Sequence, residues 1–199
     1  MIISIEGIDC AGKSSLAERL KKTFERNKSI IFCCEFDSPF SSYLKELLKT
    51  DGSYLMKTFM FALDRAWIFE NRAFSHLESG GIVIWDRYVD SAYAYRYAED
   101  YKTDLADFEY VKKINSIFPK PDLTIYLDIS VQTSIRRAQK SGRSEPYDEK
   151  TLTKVKSYYD SIYKDNDKCV IVDGEKTEKE LIDIIVHILE DTDERFRNR

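Results

Sequence analysis

Proline and glycine are scarce, at 4 and 7 of 199 residues, and histidine occurs only twice. A chain so poor in the two chain-breaking residues is neither collagen-like nor a flexible linker, and 43% hydrophobic residues supply the core material that a disordered chain lacks. No apolar stretch approaches the roughly 20 residues that a membrane helix needs, so no membrane association is expected. The four cysteines are too few and too scattered for a disulfide framework. They read as buried free thiols in a reducing, cytoplasmic setting. Neither His76 nor His187 lies near them in sequence, which leaves no zinc spacing. Excess positive charge is also missing: the formal net charge is −4, so nothing draws the whole chain to nucleic acid, and any anion site must be a local one.

What is present is an alternation of short apolar runs with longer helical patterns. The runs Ile2–Ile5, Ser29–Phe36, Ile82–Trp85, Leu123–Leu127 and Cys169–Val172 are separated by segments such as Ser14–Asn27, Tyr54–Gly80, Val131–Lys140, Thr151–Lys164 and Glu178–Glu190. Nearly continuous apolar strands between helices predict an α/β fold with a five-stranded parallel sheet covered by helices on both faces. With no internal repeat, residues 1–199 are expected to form a single domain. The Gly- and Pro-containing stretch Ser141–Glu149 is expected to be a mobile loop, and residues 191–199 a flexible tail. The opening MIISIEGID is expected to be a first strand rather than a signal peptide, because it is short and lacks a basic start.

Directly after that strand, Gly7-Ile8-Asp9-Cys10-Ala11-Gly12-Lys13-Ser14 matches G-x-x-x-x-G-K-[S/T], followed by Ser15 and an amphipathic helix. The two glycines let backbone N–H groups wrap phosphate oxygens, and the helix N-terminus favours the anion. Lys13 would bridge the outer phosphates of ATP, and Ser14 would offer a hydroxyl to Mg²⁺. At the end of the third apolar run, Asp86 is placed to hold Mg²⁺ through water, and Arg87 to meet a second phosphate with two parallel hydrogen bonds. Taken alone, that acid and base could equally be a salt bridge. Phe61 and Arg65, four residues apart on one helical face, could stack on and hydrogen-bond a base; a core ring beside a surface arginine reads the same way.

These segments together resemble the thymidylate kinase family over nearly the whole chain. The resemblance rests on Gly7–Ser15, Phe61-Ala62-Leu63-Asp64-Arg65, Asp86-Arg87-Tyr88-Val89-Asp90-Ser91-Ala92-Tyr93-Ala94-Tyr95, and Pro119–Asp128. It implies a P-loop fold with a short closing loop, or LID, and transfer of the γ-phosphoryl group of ATP to dTMP with Mg²⁺. It also implies a homodimer packed through helices. By the same resemblance Asp9 would contact the acceptor's 3′-hydroxyl, Phe61 would stack on thymine and Arg65 would hydrogen-bond it. Arg87 would bind the acceptor phosphate, Ser91 would lie beside that pocket, and Tyr95 would pack near the 2′ position.

The transition-state arginine would come from the LID at about residues 141–149, with Arg143 as first choice and Arg137 as second. Two positions depart from the family pattern. Pro146 stands where a LID arginine is common, and Glu35–Ser42 brings no arginine to the acceptor phosphate, where Lys45 is the nearest substitute. Two other readings stay open on these departures: a kinase for another nucleotide or a deoxynucleoside, and a nucleotide-binding regulatory protein without turnover.

Overall fold

The computed structural model describes residues 1–49, 54–99, 108–142 and 147–198. Five strands form one sheet: β1 (Ile2–Glu6), β2 (Ile30–Cys34), β3 (Ile82–Asp86), β4 (Leu123–Asp128) and β5 (Cys169–Asp173). Their spatial order is β2-β3-β1-β4-β5, and every neighbouring pair runs parallel. The β-branched runs IISIE and IVIWD suit strands buried on both faces. Because side chains alternate, Ile3, Ile5, Ile82 and Ile84 enter one apolar layer while Ile2, Val83 and Trp85 enter the other.

Helices α1 (Lys13–Thr23), α8 (Glu149–Tyr163) and α9 (Glu178–Thr192) seal the first layer with Leu16, Leu20, Val155, Tyr159, Ile185 and Leu189. Each such side chain, taken fully out of water, contributes about 1.5–3 kcal/mol. The second layer is closed by α3 (Tyr54–Ile68) and by Phe118, which follows α6 (Phe108–Asn115). Helix α2 (Ser41–Leu48) lies between β2 and α3, α5 (Val89–Ala98) follows β3, and α7 (Val131–Ser141) follows β4. Short side-chain oxygens start the later helices. Ser130 accepts from the Thr133 N–H, Asp148 from the Thr151 N–H, and Thr177 and Glu180 form a reciprocal capping box.

Several expectations need correction. The helix predicted over 54–80 is interrupted: α3 ends at Ile68, a π-helical turn spans Phe69–Ala73, and α4 covers only Phe74–Glu78. The extra residue in the π turn rephases the helix so that Arg72 reaches the Phe32 carbonyl at 2.8 Å and Asp37 at 2.6 Å. The expected tail is docked over its described part. A 3₁₀ turn over Glu194–Arg197 inserts Phe196, fully buried, edge-on to Phe24 at 5.3 Å, and Asn27 donates to the carbonyls of Arg195 and Asn198. None of the four cysteines is in a disulfide, but only Cys33 is buried, the others being half-buried.

Candidate active site

The carboxyl ends of β1 and β3, neighbours at the middle of the sheet, deliver the phosphate loop and Asp86-Arg87 to one edge. The loop's turn depends on its glycines. Gly7 has φ 150°, and a Cβ there would meet the Leu127 carbonyl oxygen of β4 at 2.7 Å. Gly12 has φ 103° and opens α1. Arg137 on α7 braces the loop from outside, donating to the carbonyls of Cys10, Ala11 and Gly174. Ser134 donates to the Asp9 carbonyl at 2.7 Å.

Lys13 is buried and folds back on the loop, donating to the carbonyls of Gly7 at 2.8 Å and Ile8 at 2.6 Å. Burial first, and then the charge of Arg87, lowers its pKa to about 8, against the pull of Asp9 and Asp86. Ser14 donates to one oxygen of Asp86 at 2.7 Å, and the other Asp86 oxygen is buried with no partner among the described residues. Two oxygen ligands side by side, one of them unsatisfied, suit a hard cation such as Mg²⁺.

Two cavities meet here. One, of about 1180 Å³, is lined by the phosphate loop, Ser15, Arg137 and Gly142. The other, of about 700 Å³, is lined by Glu35, Phe36, Phe61, Ser91, Tyr95 and Asn115. Asp9, Arg87 and Tyr147 belong to both walls. Arg87 pairs with Asp9, and its guanidinium carbon lies 5.4 Å from the Tyr95 ring centroid; Tyr147 in turn packs on Tyr95 at 5.0 Å. Burial alone would raise the Asp9 carboxyl, but Arg87 and Lys13 hold it below its ordinary value. Among the described residues only Cys10, Phe36 and Arg87 are non-glycine residues with positive φ, at 57°, 69° and 63°, and all three line these cavities. Such strain persists where the surrounding structure over-determines it, typically at ligand sites.

Phe61 reaches the second cavity, edge-on to Phe36 at 6.0 Å. Arg65 does not. It is buried behind the wall, donating to Asn115 Oδ1 at 2.6 Å and the Tyr88 carbonyl at 3.3 Å, with Glu35 at 3.5 Å. Lys45 faces the first cavity and lies 5.5 Å from the Phe36 ring. Arg143 and Pro146 lie outside the described residues.

Three groups escaped the sequence reading. Glu6 ends the buried strand β1 and accepts from the Tyr88 N–H at 2.8 Å, Ser91 Oγ at 2.6 Å and Tyr159 Oη at 3.1 Å. Ser91 thus lines the second cavity with its hydroxyl tied to Glu6. Burial, aided by Asp90, raises Glu6 to about 7 against its hydrogen bonds and Arg87. Glu35 is likewise raised to about 7, by burial foremost, with Arg87 and Arg65 pulling against it. A lone acid in an apolar strand was the available signal for Glu6, and an acid at a strand's carboxyl end for Glu35. Tyr147 had none, since nothing in a loop sequence says which wall it will join.

A sequence model for the family described as thymidylate kinase matches residues 5–185. The chain is 35% identical to a probable thymidylate kinase of Sulfolobus acidocaldarius over 190 residues, 92% of each chain. It is 30% identical to probable thymidylate kinase 1 of Saccharolobus solfataricus over 195 residues, 95% of this chain and 96% of that one. The crystal structure of thymidylate kinase from Ehrlichia chaffeensis superposes with a TM-score of 0.69 at 21% identity, over 95% of this chain and 98% of that one. That likeness establishes the P-loop fold.

Proposed function

We infer the activity from a premise these comparisons supply: the chain belongs to the thymidylate kinase family. It transfers the γ-phosphoryl group of ATP to dTMP, giving dTDP and ADP. The observation that carries the assignment to this site is the shared wall. A phosphate-binding cavity and an aromatic cavity meet at Asp9 and Arg87, as a donor and an acceptor must meet for one phosphoryl group to pass between them.

In this reading the loop N–H groups and Lys13 hold the ATP phosphates, and their negative charge replaces the carbonyl oxygens that Lys13 now contacts. Mg²⁺ fits Ser14 and Asp86, and when bound there it offsets charge on the phosphates. Arg87, preset by Asp9 and Tyr95, takes the acceptor phosphate, while Phe61 and Phe36 present their rings to thymine. Asp9 is left to meet the sugar 3′-hydroxyl, and Tyr95 to crowd the 2′ position. Arg65 supports the base site from behind through Asn115. Arg137 serves as a brace for the phosphate loop, which leaves the closing arginine to Arg143.

The partner we propose is a second copy of the chain. Met56, Phe59 and Leu63 expose one face of α3 at 55%, 51% and 44%, a stripe that an isolated protomer leaves in water. Four cysteines held as thiols support a reducing, cytoplasmic setting. The direct test is ADP release with ATP, Mg²⁺ and dTMP, dUMP, dCMP, dGMP or AMP as acceptor. Preference for dTMP supports the assignment, and ATP binding without acceptor-dependent turnover would overturn it.

A further inference from the structure

Glu6, the last residue of β1, is fully buried and lines neither cavity. A carboxyl group in such a place is costly, because it gives up its water. What it receives in exchange are three converging donors. One oxygen accepts from the Tyr88 N–H at 2.8 Å; the other accepts from Ser91 Oγ at 2.6 Å and from Tyr159 Oη at 3.1 Å.

The first of these bonds falls on the residue directly after Arg87, and Arg87 is one of the few non-glycine residues held at positive φ, at 63°. Strand β3 ends at Asp86, opposite Ile5 in the register of the sheet. Beyond it the Arg87 N–H donates to the Ile5 carbonyl at 3.1 Å and the Tyr88 N–H to the Glu6 carboxyl group. Two successive N–H groups are thus fastened to the last two residues of β1, one on each side of the Arg87 Cα. The chain curls over the end of that strand, and the side chain of residue 87 is directed at Asp9 in the phosphate loop. A left-handed arginine persists only where its neighbours over-determine it. Ser91 on α5 and Tyr159 on α8 orient the carboxyl group for this task, and Tyr163 Oη clips the same two helices together by donating to Asp90 at 2.8 Å.

We propose that Glu6 is the positioning residue for Arg87: it fixes the backbone from which the guanidinium meets the acceptor phosphate, and touches neither nucleotide itself. The role of Arg87 at that phosphate is the one given under the function above, on which the proposal rests. Without the carboxyl group the N–H of the fully buried Tyr88 has no acceptor. Residue 87 then returns to ordinary negative φ, and the guanidinium leaves Asp9 and the Tyr95 ring. Lys13, Ser14 and Asp86 all precede the turn and keep their own bonds, so the loss falls on the acceptor and spares the donor.

The experiment compares Glu6→Gln and Glu6→Leu, each alone and combined with Arg87→Ala, by steady-state kinetics on dTMP and by calorimetric titration of ATP and of dTMP. Glutamine keeps an oxygen for the Tyr88 N–H but sets an amide against the two hydroxyls; leucine offers no acceptor at all. The kcat/KM for dTMP is expected to fall about 10-fold with glutamine and about 10²-fold with leucine, the scale of a reacting group displaced by an ångström. The Kd for ATP is expected to stay at the wild-type value. In the Arg87→Ala background neither substitution should lower kcat/KM further, because a residue that acts through the guanidinium has nothing left to act on. Losses that multiply onto Arg87→Ala overturn the proposal, as does an ATP affinity that falls along with that for dTMP, since either marks a general structural role. A glutamine variant with wild-type kcat and KM for dTMP overturns it too. Should the leucine chain not fold, the glutamine series decides on the same criteria. A wild type that binds dTMP through Arg87 yet transfers nothing to it overturns the activity assignment alone, and the same cycle is then read in the Kd for dTMP.

Discussion

Arg87 carries the heaviest load of any single side chain in the site, because it faces Asp9, Glu35 and Tyr95 at once and lines both cavities. Arg87→Ala should lower kcat/KM for dTMP by about 10³-fold or more. Arg87→Lys should recover little, since a point charge cannot reproduce two parallel hydrogen bonds; steady-state kinetics on both variants checks this. At Gly7 the limit is steric. A Cβ 2.7 Å from the Leu127 oxygen, at φ 150°, should cost about 1–3 kcal/mol in Gly7→Ala, read as a lower urea midpoint together with weaker ATP binding.

Glu6 and Glu35 give the pH dependence its sign. Both have folded pKa values near 7, above their ordinary 4.5, so the folded chain holds protons that the unfolded chain has released. Their contribution is therefore most favourable below about pH 4.5, declines as pH rises through about 7, and is flat beyond. In Glu6→Gln, thermal melts should show a shallower fall between pH 5 and pH 8 and a higher melting temperature at pH 8. An unchanged slope would mean that Glu6 is already ionised in the folded protein at pH 5.

At the scale of elements, the strands were the most legible part of the chain, because burial on both faces leaves a continuous apolar run that few other structures produce. The phosphate loop was legible for a related reason: glycine at positions 7 and 12 answers a backbone demand that other residues meet only with strain. Where the reading stopped short, the cause was an interaction distant in sequence. A π turn at Phe69–Ala73 is set by what Arg72 must reach across 40 residues, at the Phe32 carbonyl, and no local propensity encodes that. Arg65 sits on the predicted face beside Phe61, yet whether a guanidinium enters a cavity or backs its wall depends on Asn115, 50 residues away.

The C-terminal stretch looked like a tail because its charges dominate its composition, and one phenylalanine reverses that outcome. Phe196 is fully buried against Phe24, so Phe196→Ala should cost about 3–5 kcal/mol, a loss that denaturant unfolding monitored by fluorescence would read directly.

For the whole molecule, the stripe of Met56, Phe59 and Leu63 predicts assembly. The wild type should sediment as a dimer and the double variant Phe59→Glu/Leu63→Glu as a monomer; a monomeric wild type would remove the basis for that stripe as an interface. The sheet order placed β1 and β3 side by side, which sets Asp9 and Arg87 in a party wall between two cavities, and Tyr147, packed on Tyr95, completes it. That wall has a consequence for inhibitor design. Two weak nucleoside ends joined by a phosphate chain long enough to cross it would each raise the other's effective concentration to about millimolar, giving avidity some 10²–10⁴ times beyond either half. A chain too short to cross would show no gain at all, so the length at which avidity sets in would serve as a ruler for the distance between donor and acceptor.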